Sequence, residues 1–459
     1  MTRLRALVHY GSDALRVGAM AERRSIGAAA GWGFRARRRR SGALPLVLAL
    51  LLSGCARDAT PSRQVRFWAM GREGEVVQEL LPEFERRHPG IHVRVQQIPW
   101  SAAHEKLLTA FVGDAMPDVF QLGSTWVPEF AAIGAAEPLD ARLAASQSMA
   151  VDDVFPGILD ANRIGDATYG VPWYVDTRLL FYRTDLLAAA GFAAPPADWQ
   201  TWTASMQAIK QRVGPRNYAI LLPVREWQPL VILALQRGAG LLRDGDRYGD
   251  FQSAAFRDAF AFYLDFFRLG LAPAEAEGQV ANLYQDFAAG FFAFYITGPW
   301  NIGEFRQRLP PAMTDRWDTA PMPAPEPGTL GISIAGGASV ALSRSARDAD
   351  AAWQLIEYLA QPATQIEFYR RTGDLPARRA AWDDRELADN RYTRAFRVQL
   401  QSLRPPPKVP EWERIAAKLT DYADAAVRGD MTPEEALAAL DRDVDALLEK
   451  RRWLLERRS

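Results

Sequence analysis

Asp152-Asp153 and Asp383-Asp384 are the evident carboxylate pairs of this 459-residue chain, and paired acids are what general acid and base chemistry employs. Adjacent side chains point apart, however, so neither pair brings two carboxylates onto one substrate. His88, His92 and His104 lack metal-ligand spacing, because Pro89-Gly90 breaks any helix that would join the first two. Cys55 is the only cysteine, and neither a phosphate-binding glycine-rich loop nor a nucleophile elbow is present. No catalytic residue, metal or cofactor is therefore expected. What remains is binding chemistry. Several of the 14 tryptophans stand where a strand ends and a loop begins and offer flat apolar faces. Glu73, in the loop after the first strand, offers an acceptor for hydroxyl hydrogens.

Those residues need a scaffold, and the hydrophobic periodicity supplies one. Gln64 to Ala69 reads as a strand, and Glu75 to Arg87 carries Val76, Leu80, Leu81 and Phe84 at helical spacing until Pro89-Gly90 stops it. Ile91 to Val95 alternates apolar and polar residues as a half-buried strand does. A helix from about Ser101 to Gly113 then precedes the strand Asp118 to Leu122. Strand, helix, strand, helix, strand predicts a parallel α/β sheet with right-handed crossovers. Leu179 to Tyr182 and Phe291 to Ile296 read as further strands. Long helical stretches surround Trp199 to Arg212, Pro229 to Gly238 and Ala254 to Leu269. Proline and glycine cluster from Pro310 to Gly337, which predicts a surface connection, and from Ala346 onward the pattern is mostly helical.

The length exceeds one ordinary domain and predicts two lobes with cores of their own. Residues 1–54 hold ten arginines against two acids, leaving 45 bases and 53 acids beyond them. An acidic remainder argues against a nucleic-acid partner, which would need a basic footprint, and favours an uncharged ligand. Arg37 to Arg40, the apolar run Ala43 to Leu52 and Leu52-Ser53-Gly54-Cys55 together have the charge and length of a signal peptide. The run is too short for a permanent span of roughly 20 residues. Its end resembles the lipobox of bacterial lipoproteins, which implies that Cys55 is acylated and becomes the mature N-terminus. With no second cysteine, the exported part must be stable through its core alone.

Several strings, in one order, resemble the extracellular sugar-binding proteins of bacterial ABC importers, family 1, of which maltose- and trehalose-binding proteins are known members. They are Phe67-Trp68, Met116 to Trp126, Tyr169 to Arg178 running into Phe181 to Leu187, Tyr295 to Ile302, Gly336-Gly337, Thr372 to Pro376, Arg404-Pro405 and Gly429 to Leu437. The resemblance implies a two-lobe periplasmic binding-protein fold of type II with the ligand cleft between the lobes. Residues 1–54 are then leader and 55–63 tether. Residues 64–174 with 316–375 form the first lobe, and 175–315 with 376–459 the second, the crossings falling near Val175 and Ile334.

A sugar ring presents hydroxyls at its rim and C–H patches on its faces, so its site needs indole or phenol platforms and planar hydrogen-bonding groups. The resemblance places a stacking tryptophan at Trp300, an acid bonding sugar hydroxyls at Asp176 and a ligand-facing arginine at Arg404. Trp412, Trp173 and Tyr174 are further aromatic candidates, the last two beside the first crossing. Gly337, with Gly336, would let backbone N–H groups approach the ligand. Thr125 and Trp126 stand where maltose-binding members carry an acid and a base, which argues against a long maltodextrin. The expected partners are a small sugar, best an α-linked disaccharide such as trehalose or maltose, and the permease subunits of an ABC importer. The protein is expected to be monomeric, located in the periplasm or cell envelope, and joined to the membrane only through its lipid. The rival readings are a secreted carbohydrate-active hydrolase and a subunit reporting to a sensor.

Overall fold

The computed structural model describes residues 63–274 and 282–457; the expected leader, the expected acylation site at Cys55 and the expected tether before Arg63 lie outside the described residues. Strand β1 (Arg63–Met70) buries Val65, Phe67 and Ala69 at every second position, as a pleated strand on a core must. The helix Gly71–Arg87 then buries Val76, Val77, Leu80, Leu81 and Phe84, a stripe of period near 3.6. It returns the chain to β2 (Ile91–Ile98), parallel to β1 with Arg63 opposite Ile91. The helix Trp100–Val112 leads to β3 (Val119–Gly123), parallel to β1 on its other side. A small hairpin, β4 (Arg163–Ile164) and β5 (Ala167–Thr168), precedes β6 (Val171–Asp176).

The chain now leaves this sheet. β7 (Leu179–Arg183), β8 (Ile220–Leu221), β11 (Phe294–Thr297) and β12 (Trp317–Ala320) build a separate sheet in the order β12-β7-β11-β8, while β9 (Leu242–Arg243) and β10 (Tyr248–Gly249) form a hairpin between them in sequence. β13 (Ser333–Ile334) pairs with the late β16 (Leu403–Arg404). The chain then re-enters the first sheet through β14 (Gly336–Leu342), antiparallel to both β3 and β6, and β15 (Leu375–Pro376) closes the edge beside β6, giving the order β15-β6-β14-β3-β1-β2. The sheet is therefore mixed where the early sequence pattern predicts a parallel one, because its central strand arrives from the other lobe.

Helices cover each sheet on both faces. In the first lobe Phe67, Phe84, Leu355 and Phe368 pack on one face, and Met70, Leu107, Phe120 and Phe130 on the other. In the second, Leu180, Trp202, Phe260 and Leu440 fill one side, and Phe181, Phe305, Trp317 and Phe396 the opposite one. Side chains of this size stabilise by about 1.5–3 kcal/mol each when fully buried, so the core needs no disulfide. One boundary differs from the sequence reading. Residues 316–335 were expected in the first lobe, but Trp317–Ala320 pairs with Leu180–Arg183, and Met322 and Ala324 are buried with the second. Proline and glycine here flank buried segments with an exposed run, Glu326 to Leu330, between them, and the second crossing lies at Ala335, beside the expected Ile334. Among the described residues no helix is long and apolar enough to cross a membrane.

Candidate functional site

Helix N-termini converge on a cleft of about 460 Å³ between the two sheets. From the first lobe come Glu73, in the opening turn of the helix Gly71–Arg87, Trp100, the first residue of the helix Trp100–Val112, and Ser124 to Trp126 at the end of β3. The second lobe presents Trp227, Trp300 and Glu413, each within the first two residues of its helix. The crossing strands contribute Tyr174, Asp176, Gly336 and Gly337, and Asp374 follows the helix Pro362–Thr372. Unpaired N–H groups and the helix dipole make such ends favourable to carboxylates, which is why acids cluster here without a matching set of cations.

Glu73 is held from two sides. The Tyr174 hydroxyl donates to its Oε1 at 2.9 Å and the Trp100 indole N–H to its Oε2 at 3.3 Å. Gln121 donates to the Tyr174 oxygen at 3.2 Å and accepts from the Met70 N–H at 2.7 Å, tying the chain to β1 and β3. Burial raises the Glu73 carboxyl above its ordinary range, against the pull of these bonds. Asp374 is pushed well above the usual carboxylate value by burial first and the charge of Glu73 second. These carboxyls therefore retain protons more readily than exposed ones. Gly373, in the left-handed region at φ 84°, ends the preceding helix and turns Asp374 inward.

On the other wall Arg178 donates from Nη1 to both Asp176 oxygens at 2.8 Å, and its guanidinium lies 4.4 Å from the Trp300 ring centroid. Trp300 remains 37% exposed. It folds back over Gly298, where a Cβ would stand 1.9 Å from the indole, so a larger residue there would displace the ring from this position. Gly337 has φ 114°, and a Cβ on it would meet the Tyr174 carbonyl oxygen at 2.3 Å. That position admits only glycine. Across the cleft the Thr125 hydroxyl donates to Glu413 Oε1 at 2.5 Å.

The structure brings Glu73, Thr125, Tyr174, Asp176, Trp300 and Gly337 together on the cleft wall and leaves three expected residues off it. Trp173 has no exposed surface and packs 4.5 Å from Phe368 and 5.8 Å from Phe67. Neighbours on a strand face opposite sides, so Tyr174 in the cleft puts Trp173 in the core. Trp412 is likewise fully buried and backs the cleft residue Trp227 edge-on at 5.2 Å. Arg404 lies exposed in β16, whose backbone carbonyl takes the Ala335 N–H at 2.9 Å, and its side chain is not on the wall. Sequence reasoning did not single out Trp100, Arg178, Trp227, Asp374 or Glu413 as contacts. For Trp100 and Trp227 the signal was available: each opens a helical run. Glu413 carries none, because its neighbour Thr125 is 288 residues away.

Two α/β lobes joined by repeated crossings, with aromatic and hydrogen-bonding side chains lining the gap between them, are the build of a two-lobe solute-binding protein. The chain belongs to the family of bacterial extracellular solute-binding proteins, whose model matches residues 69–366. Among solved structures it is similar to the sugar-binding protein MalE from the phytopathogen Xanthomonas citri, at 49% identity and a TM-score of 0.83, covering 86% of this chain and 99% of that one. Among characterised relatives are the diacetylchitobiose-binding protein DasA of Streptomyces coelicolor, 23% identical over 76% of this chain and 81% of its own, and a galactooligosaccharide-binding protein of Bacillus subtilis, 22% identical over 84% and 89%.

Proposed function

We propose that this protein captures a neutral mono- or oligosaccharide outside the cytoplasm and delivers it to the permease of an ABC importer. The observation that carries the reading is the pairing, in one cleft, of the exposed Trp300 face with fixed acceptors from both lobes, Glu73 and Asp176 among them. Rings stack C–H patches on indole while carboxylates take hydroxyl hydrogens through charge-assisted bonds. A volume of about 460 Å³ falls within the usual range of small-ligand sites and favours a disaccharide over a long chain. An α-linked disaccharide such as trehalose or maltose is the best candidate. The 49%-identical Xanthomonas structure, described as a sugar-binding protein, supports the class.

Calorimetric titration of the protein from Cys55 onward against trehalose, maltose, sucrose and short oligosaccharides tests the proposal. Saturable binding to one or more is expected, and failure with all of them would overturn the ligand class. The lipobox-like Leu52-Ser53-Gly54-Cys55 supports a lipid anchor on Cys55. Cys55→Ser is then expected to move the protein from the membrane to the soluble fraction of the envelope; an unchanged distribution would remove the anchor from the proposal.

A further inference from the structure

The fixed charges of the cleft say more than that hydroxyls bind there. Four carboxylates face it, Glu73, Asp176, Asp374 and Glu413, against one cation, Arg178. Arg178 is already engaged by both oxygens of Asp176, which leaves it little to offer a second anion. Behind it Glu226 adds another carboxyl, raised by burial, that senses the charges of both Arg178 and Asp176. The hydrogen bonds that Glu73 and Glu413 accept come from neutral donors, Tyr174, Trp100 and Thr125. Arg72, whose positive charge partly offsets the rise in proton affinity at Asp374, lies not on this wall but in an adjoining chamber, where it donates to the Arg371 carbonyl at 3.0 Å.

Helix N-termini offset part of this negative charge, about half a unit each at most, and the effect fades within the first turn. At two of them the compensation is taken up by Glu73 and Glu413 themselves. An entering anion would thus meet acids from both lobes with no free guanidinium to receive it. An ammonium group would find the reverse, and a hydroxyl can donate to any of the four carboxyls.

We infer that the cleft is a charge filter: it admits neutral and amine-bearing sugars and rejects sugars carrying a carboxylate or phosphate, with Asp374 and Glu413 as specificity-determining residues. This rests on the sugar-binding reading and narrows it. The mechanism is exclusion by juxtaposed like charge rather than by shape.

The experiment is calorimetric titration at pH 7 with trehalose and maltose, followed by derivatives of whichever binds: the 6-amino-6-deoxy sugar, the corresponding 6-uronic acid and the 6-phosphate. The amine and the uronic acid differ little in size, so charge separates them. The amine is expected within threefold of the parent or tighter, and the uronic acid and phosphate at least 100-fold weaker. In an Asp374→Asn, Glu413→Gln variant the parent-to-uronate ratio is expected to fall to tenfold or less. Because the readout is a ratio, a general loss of affinity does not mask it. Should that variant not fold, Glu413→Gln alone, at a half-buried helix start, is expected to reduce the ratio at least threefold. A uronic acid bound within threefold of its parent, or a ratio indifferent to these substitutions, overturns the filter and leaves the sugar reading standing. Binding of none of trehalose, maltose, sucrose and the short oligosaccharides overturns the sugar reading, and the filter with it.

Discussion

Trp300 and Trp412 illustrate how one residue type serves two purposes. Both open helices of the second lobe, yet one is 37% exposed in the cleft and the other has no exposed surface. Trp300→Ala is expected to weaken sugar binding by about 1–3 kcal/mol, roughly 5- to 150-fold, with little change in thermal stability. Trp412→Ala removes a buried ring and should lower stability by about 3–5 kcal/mol. Titration and thermal unfolding of the same two proteins check both; equal effects of the two substitutions on affinity would contradict the assignment. Asp374 makes a pH prediction. Its native carboxyl holds its proton well above the ordinary value near 4, so above that pH the native state binds more protons than the unfolded one. Stability from this site then falls as pH rises until Asp374 ionises. Asp374→Asn is expected to raise the melting temperature at pH 7 and to lose that advantage near pH 4. A difference that does not vary with pH would refute it.

At the scale of elements, the cleft is made by where strands end and helices begin. β3 delivers Thr125 from the first lobe, and the helix Trp412–Arg428 delivers Glu413 from the second. The bond between them forms only when the lobes are close, so it should stabilise the closed, ligand-holding form. Thr125→Val and Glu413→Ala are each expected to weaken binding of the neutral sugar by about 1–2 kcal/mol, roughly 5- to 30-fold. The double variant should be no worse than the weaker single, as a double-mutant cycle on coupled residues requires. Full additivity would show that the two act independently. His104, one helix away, donates from Nε2 to Glu129 at 2.6 Å and has its proton affinity raised chiefly by that carboxylate. Its contribution to stability is present below the ordinary histidine value and is lost as pH rises through the raised one.

Across the whole molecule, the two lobes are joined at three places: β6 to β7, β13 to β14, and the segment after β15. Short links of this kind allow one lobe to rotate on the other by a hinge motion. Small-angle scattering is expected to show a smaller radius of gyration with saturating sugar than without it, and an unchanged radius with a tightly bound sugar would rule out closure. The fold class was legible in the sequence because its evidence is local. Periodic apolar residues, glycine and proline stops, and ordered short strings such as Tyr169 to Arg178 all lie within a few residues of one another. The lobe membership of residues 316–335 was not, since Trp317–Ala320 reads like a loop within the stretch rich in proline and glycine until Leu180–Arg183 is seen to pair with it.

The sequence by itself determined that two α/β lobes form, that glycine stands at positions 298 and 337, and that Glu73, Tyr174, Asp176 and Trp300 fall at strand and helix ends, because each depends on chain-local geometry. Only the tertiary structure decided which aromatics face the gap and which seal the core, and that Arg178, Asp374 and Glu413 share one cleft. Those facts depend on residues hundreds of positions apart meeting across an interface, and no spacing along the chain encodes such a meeting.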